Sequence, residues 1–166
     1  MGMYKTLKDV YDTFYNDETL LRLLHYLPQS YIDNRKDPLD PSLDNVLKID
    51  TYGEIRDEII KLTSKSSDLE NKKICRLYLY ADVRKPIDGG YIYSDQNIVV
   101  DIFCHSDYEK DLRSMRISDR LNELLIGSRV TGFGKVSYVG GRPISAPLDY
   151  VAYSHKYKIG SMRKWE

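Results

Sequence analysis

Three carboxylates and one histidine are the residues whose types and spacing could carry chemistry. Asp101 and His105 lie four residues apart in the run NIVVDIFCHS, so on an extended strand they share a face. Asp82 falls in the preceding strand-like run, and Asp95 in the connection between the two. Carboxylates converging in this way would hold Mg²⁺ or Mn²⁺ for two-metal hydrolysis of a phosphodiester. A small metal-dependent nuclease using Asp82, Asp101 and Asp95 is therefore the enzyme class that can be drawn. The same residues have a purely structural account: Asp101 meets an Arg or Lys, Asp82 lies near the sheet edge, and His105 caps the turn before the following helix.

Other chemistries lack their signatures. His25 and His155 are isolated in sequence, and there is no HxH, HxxxH or CxxC spacing for a metal. Gly132, Gly134 and the Gly140-Gly141 pair do not follow the strand, glycine-rich turn and helix order of a phosphate loop, and no Gly-Lys-Ser/Thr is present. Ser114 and Ser118 sit in no Gly-x-Ser-x-Gly elbow that would present a nucleophile to His105 and Asp101. The basic run Lys156, Lys158, Arg163, Lys164, ending in Trp165, reads as a solvated tail. The expectation is a protein without catalytic residues, bound metal or cofactor.

The elements that must position these residues are set by hydrophobic spacing. Residues 97 to 127 form the organising unit. Ile98, Val100, Ile102 and Cys104 point one way and Val99, Asp101, Phe103 and His105 the other, so the strand is apolar on both sides and belongs inside a sheet. Ile117, Leu121, Leu124 and Leu125 then make one helical stripe to lie on that sheet, and Gly127 stops the helix. Tyr108, Leu112 and Met115 lie roughly opposite the stripe, which predicts a break, or a change of packing partner, near Ser114. The expected core is Val100, Ile102, Ile117, Leu121, Leu124 and Leu125.

Before this unit, Leu7, Val10, Tyr11 and Phe14 mark one amphipathic helix, and Asp17 with Leu20, Leu21, Leu24 and Leu27 a second that ends at Pro28. Two Asp-Pro pairs make 29–45 an extended connection. Asn45 to Asp50 reads as a short edge strand, Ile55 to Leu62 as either helix or strand, and Ser64 to Lys73 as a loop. Ile74 to Arg84 alternates as a strand. Lys85 to Asn97 is too long for a tight hairpin; it either extends the two strands as a ribbon or lies against a partner chain. Arg129 to Val139 and Leu148 to Ile159 are two further strands, with the glycine- and proline-rich tip Gly140 to Pro147 between them, and Gly132 and Gly134 predict a bulge or close packing. The fold class is α+β: a mainly antiparallel sheet of about four strands packed against one amphipathic helix, with an N-terminal helical pair. Residues 1–70 form an extension packed on the core domain, 71–166, as one folding unit.

Composition narrows the function. The 166 residues carry 25 basic and 25 acidic side chains, a balance that argues against specific nucleic-acid binding, and no apolar run reaches membrane-spanning length. Cys75 and Cys104 fall inside predicted strands, where free thiols behave as small buried hydrophobes. Tyrosine outnumbers phenylalanine 15 to 3, which suits surfaces buried by contact yet wet at the rim.

The order of a short helical pair, the strand IVVDIFCHS, the helix RISDRLNELLIG and the hairpin GFGKVSYVGGRPISAPLDYVAYSHKY, over roughly residues 70 to 160, resembles the small head-to-tail joining proteins of long-tailed bacteriophages, the tail completion and tail terminator group. The resemblance implies a structural virion protein assembled in the host cytoplasm. It implies a ring, commonly of six copies, between a head connector or stopper and the tail tube or sheath. Residues 1 to 70 and the Tyr-rich excursion depart from the plainer members of that group. A ring of identical subunits needs two different patches. Tyr91, Ile92, Tyr93, Tyr138, Arg142 and Ile144, carried on the two long loops, are the candidate interface anchors. An adaptor that binds a host or virion protein without forming a ring is the remaining alternative.

Overall fold

The computed structural model describes residues 3–87, 90–130 and 135–159, with the backbone alone for 83–87 and 90–95. The N-terminal pair forms as its periodicity requires. α1 (Met3–Tyr15) buries Val10 and Phe14, with Leu7 and Tyr11 packed beside them. Asp17 then caps α2 (Glu18–His25), accepting the Leu20 N–H at 2.9 Å and so satisfying one of the amides a helix start leaves without a partner. α2 buries Leu20, Leu21, Leu23 and Leu24. Its buried Arg22 donates to the carbonyls of Asp40 and Leu43, each at 2.9 Å, which anchors the far end of the connection 29–45; this segment is a succession of turns, not the extended run expected.

Asn45 to Asp50 is a helical turn, α3 (Val46–Ile49), and not the expected edge strand. The Asn45 side chain accepts the Leu47 N–H at 2.9 Å, and this cap outweighs a short apolar run. The segment left open between helix and strand is both: α4 (Glu54–Ile59) leads into β1 (Ile60–Lys61). Buried Asp50 starts α4 by accepting the N–H groups of Ile55 and Arg56 and the Arg56 guanidinium, all at 2.9 Å. The loop that follows contains a 3-10 helix, Ser67–Asn71, whose Leu69 is buried.

The sheet has five strands in the order β1-β2-β3-β5-β4, where β2 is Cys75–Ile87, β3 Gly90–His105, β4 Val136–Ile144 and β5 Tyr150–Ile159. All pairings are antiparallel except β1 with β2, which is parallel over two residues. β3 is the interior strand its two-sided apolarity requires. Ile98, Val100, Ile102 and Cys104 join Leu77 and Leu79 in one fully buried layer. Against it lie Ile117, Leu121 and Leu125 of α6 (Arg113–Leu125), with Leu124 half-buried at the margin, and the α1 and α2 side chains belong to the same cluster. Cys75 and Cys104 are direct register partners, buried and free.

The predicted break before the long helix comes two residues ahead of Ser114. α5 (Ser106–Glu109) ends, and Leu112 takes a left-handed backbone with its side chain exposed while Tyr108 is buried. α6 then begins with the Glu109 carboxylate accepting both the N–H (3.0 Å) and hydroxyl (2.5 Å) of Ser114. Arg113, fully buried, donates to the carbonyls of Leu23 and Tyr26 at the end of α2 and pairs with Asp111 at 3.0 Å. A guanidinium there meets carbonyls that the helix end leaves unpaired.

β4 starts at Val136, not near Arg129, and runs through Gly140, Gly141 and Pro143. The tip expected at Gly140 to Pro147 is therefore a tighter turn near Pro147, closed by the Tyr150 N–H on the Pro147 carbonyl at 3.1 Å. Proline fits because β4 is an edge strand, and the register slips by one residue between Tyr138 and Gly140. Gly132 and Gly134, expected to mark a bulge, lie outside the described residues. The excursion 85–97 takes its ribbon alternative, with β2 and β3 paired as far as Ile87 and Gly90.

Candidate functional site

The face of the sheet turned away from α6 carries the chemistry-bearing residues. The pleat puts Arg76, Tyr78, Tyr80 and Asp82 of β2 there, with Val99, Asp101, Phe103 and His105 of β3, Ser154 and Lys156 of β5, and Arg142 and Ile144 of β4. One end is closed. Leu69, Tyr78, Phe103, Tyr150 and Ala152 form a second buried cluster, with the Tyr78 and Phe103 rings edge to face at 5.3 Å. Arg76, fully buried beside them, pairs with Glu58 at 2.6 Å and Asp68 at 2.9 Å. The other end is open, and there a cleft of about 380 Å³ is lined by Tyr80, Asp82, Val99, Arg142, Ser154, Lys156 and the stretch Val139 to Gly141.

Asp101 sits at the heart of this face, 6% exposed. Its Oδ2 accepts the Tyr80 hydroxyl at 2.7 Å, and its Oδ1 has no hydrogen-bond partner among the described residues. The expected Arg or Lys partner is thus a phenol: Tyr80 is two residues along β2 from Asp101's register partner Tyr78 and on the same face. Burial, and then the Asp101 carboxylate, push the Tyr80 hydroxyl far above its ordinary range. Asp82 pairs with Lys156 at 2.8 Å, reaching across β3 to β5. His105 does cap the turn, its Nδ1 accepting the Asp107 N–H at 3.1 Å. Four residues of strand separate it from Asp101 by about 13 Å. The Asp95 side chain lies outside the described residues. Among the described residues, no group of three or more His, Cys, Asp or Glu side chains is placed to hold a metal ion.

The opposite face holds a second polar chain. His155 has its Nδ1 2.7 Å from the Tyr138 hydroxyl and its Nε2 2.7 Å from Ser118 Oγ, and Ser118 donates to the Ser114 carbonyl at 2.7 Å. Burial lowers the His155 pKa, which keeps the ring neutral. Ser118 thus faces a histidine after all. That histidine is His155 rather than His105, and the serine's proton is committed to a helix carbonyl.

The candidate interface anchors are dispersed. Tyr138 lies on the helix side and is engaged by His155; Arg142 is exposed at the mouth of the cleft; Ile144 is half-buried on the second cluster. The side chains of Tyr91, Ile92 and Tyr93 lie outside the described residues, as do Arg163, Lys164 and Trp165. Of the basic run, Lys156 and Lys158 belong to β5 and not to a tail. Tyr80, Val99 and Ser154 were missed as site residues, because only the register of three strands brings them together.

The fold and this face define an α+β protein with helices on one side of a mainly antiparallel sheet and a polar cleft on the other. The YomW profile matches residues 17–159, and the chain belongs to the YomW family. The SPbeta prophage-derived protein YomW of Bacillus subtilis (strain 168) is 28% identical over 160 residues, covering 89% of this chain and 90% of that protein. Among the described residues, no helix is long and apolar enough to cross a membrane.

Proposed function

We propose that this chain is a phage-derived structural virion protein that forms a ring, of about six copies, at the head-to-tail junction or the top of the tail. Its neighbours are a head connector or stopper on one side and the tail tube or sheath on the other. The single observation that carries the reading is the β2–β3 ribbon. β3 pairs with β5 no further than Gln96 among the described residues, while β2 and β3 stay paired from Arg84–Gln96 to Ile87–Gly90. A two-stranded arm is economical as a donor of contacts to a neighbouring subunit. The prophage origin of the relative supports the phage setting.

The test is the phenotype of a phage lacking this gene. Filled heads and separate finished tails, with the protein found by mass spectrometry in wild-type particles, are expected. Normal particles without the protein overturn the reading.

A further inference from the structure

We propose that subunits of this ring join by seating Tyr31 and Ile32 of one copy in the open-face cleft of the next. The proposal rests on the ring reading and names its contact.

Tyr31 and Ile32 are 92% and 97% exposed, two large apolar side chains side by side in water. The turn that carries them is tightly held. Ser30 and Arg35 exchange backbone hydrogen bonds at 3.1 and 2.8 Å, the Ser30 hydroxyl accepts the Asp33 N–H at 3.2 Å, and Arg35 reaches the Pro28 carbonyl at 3.1 Å and Asp33 at 3.2 Å. Ordering cost is met before any partner arrives, which is what an anchor needs.

The receptor is argued from the same molecule. The turn belongs to the helix layer, because Arg113 of α6 holds the Tyr26 carbonyl and Arg116 pairs with Asp37 at 3.1 Å on its two flanks. The cleft lies on the other face of the sheet. Knob and cleft therefore cannot meet within one chain, and they make the two different patches that a head-to-tail ring requires. Their chemistry also matches. Val99 and Val139 give the cleft apolar walls, and Arg142 at its mouth has no ion pair among the described residues. The hydroxyl of Tyr80, itself bonded to Asp101, and that of Ser154 add polar lining. The knob brings apolar surface and the half-exposed carboxylate of Asp33, which pairs with Arg35 within its own chain through one oxygen and can meet Arg142 with the other.

The experiment places the photo-cross-linker p-benzoylphenylalanine at position 31 of the full-length chain and maps products by mass spectrometry, in concentrated purified protein and in particles. Cross-links from position 31 to the peptides 136–144 or 150–159 of another copy are expected. Arg142→Glu should cut their yield at least tenfold, and adding Asp33→Arg should restore it. Cross-links that go to another protein or another face, an Arg142→Glu yield unchanged, or no inter-copy product in either setting overturns the contact. Particles that contain the chain without this cross-link sink the contact alone. A chain that cross-links as stated in solution but is absent from particles sinks the neck assignment and leaves the contact standing.

Discussion

The Tyr138 hydroxyl lies 2.7 Å from Nδ1 of His155 and ties the edge strand to its neighbour from the helix side. With the ring neutral, one assignment of protons satisfies every group. Tyr138 donates to Nδ1, the Nε2 proton goes to Ser118 Oγ, and the Ser118 proton goes to the Ser114 carbonyl. β4, β5 and α6 are thereby joined through one imidazole. Gly141 is part of the same arrangement. A Cβ there would stand 2.5 Å from the Tyr138 hydroxyl and 2.8 Å from His155 Nδ1, so only glycine leaves the bond room.

Removing the hydroxyl with Tyr138→Phe leaves the imidazole nitrogen without its donor, at a cost of about 1 to 3 kcal/mol in chemical denaturation. Gly141→Ala should cost a similar amount by pushing the same two groups apart. The double variant should lose less than the sum, since both remove one bond. Strict additivity would show that the two residues do not act on a common contact.

Stability should fall as the solution is acidified from pH 8 to pH 5. Burial holds the pKa values of both His155 and His25 below the ordinary histidine value. The unfolded chain therefore takes up protons first. The stabilisation is complete above about pH 6.5 and declines below it, by up to about 1.4 kcal/mol per pH unit for each histidine. Urea midpoints at half-unit intervals test this. A flat profile over the window, or one unchanged by His155→Gln, would contradict it.

Leu121 has no exposed surface and packs where α6 meets the sheet. Leu121→Ala should cost about 2 to 5 kcal/mol. A loss below about 1 kcal/mol would mean that α6 does not lie on β3 and β5 as described.

Asp82 and Asp101 are occupied by Lys156 and Tyr80, so Mg²⁺ or Mn²⁺ at millimolar concentration should leave the thermal midpoint unchanged and support no DNA cleavage. Metal-dependent cleavage that vanishes in Asp101→Asn would make this face a nuclease site.

What could be read from the sequence was whatever a single element decides. β3 and α6 were legible because alternation and the Ile117-Leu121-Leu125 spacing report burial directly. Asn45 to Asp50 was misread because one capping side chain decided it. Gly140, Gly141 and Pro143 read as a turn because the preference of those residues is local, whereas an edge strand tolerates proline and the crowding around Gly141 demands glycine. The cleft was illegible for a different reason. Tyr80, Val99 and Lys156 are neighbours only through the pairing of β2 with β3 and β3 with β5, which no spacing encodes. The burial of Arg76 and Arg113 has no local signal either, since it depends on Glu58, Asp68 and the end of α2 arriving from distant parts of the chain.

The ribbon separates stability from assembly. Deleting Ile87 to Ser94 leaves the pairing of Cys75 to Ala81 with Ile98 to Cys104, and all the buried side chains of the first cluster, in place. The thermal midpoint should therefore move by no more than about 2 to 4 °C, the shift that about 1 kcal/mol produces in a domain of this size. On the ring reading proposed above, incorporation into particles should be lost, because the arm would then supply contacts to neighbours in addition to that of Tyr31 and Ile32. The measurement pairs a melting curve of the purified variant with complementation of a phage lacking the gene. If the shortened protein still joins heads to tails with normal efficiency, the arm is not required for assembly, and the contact proposed between Tyr31, Ile32 and the cleft must suffice without it.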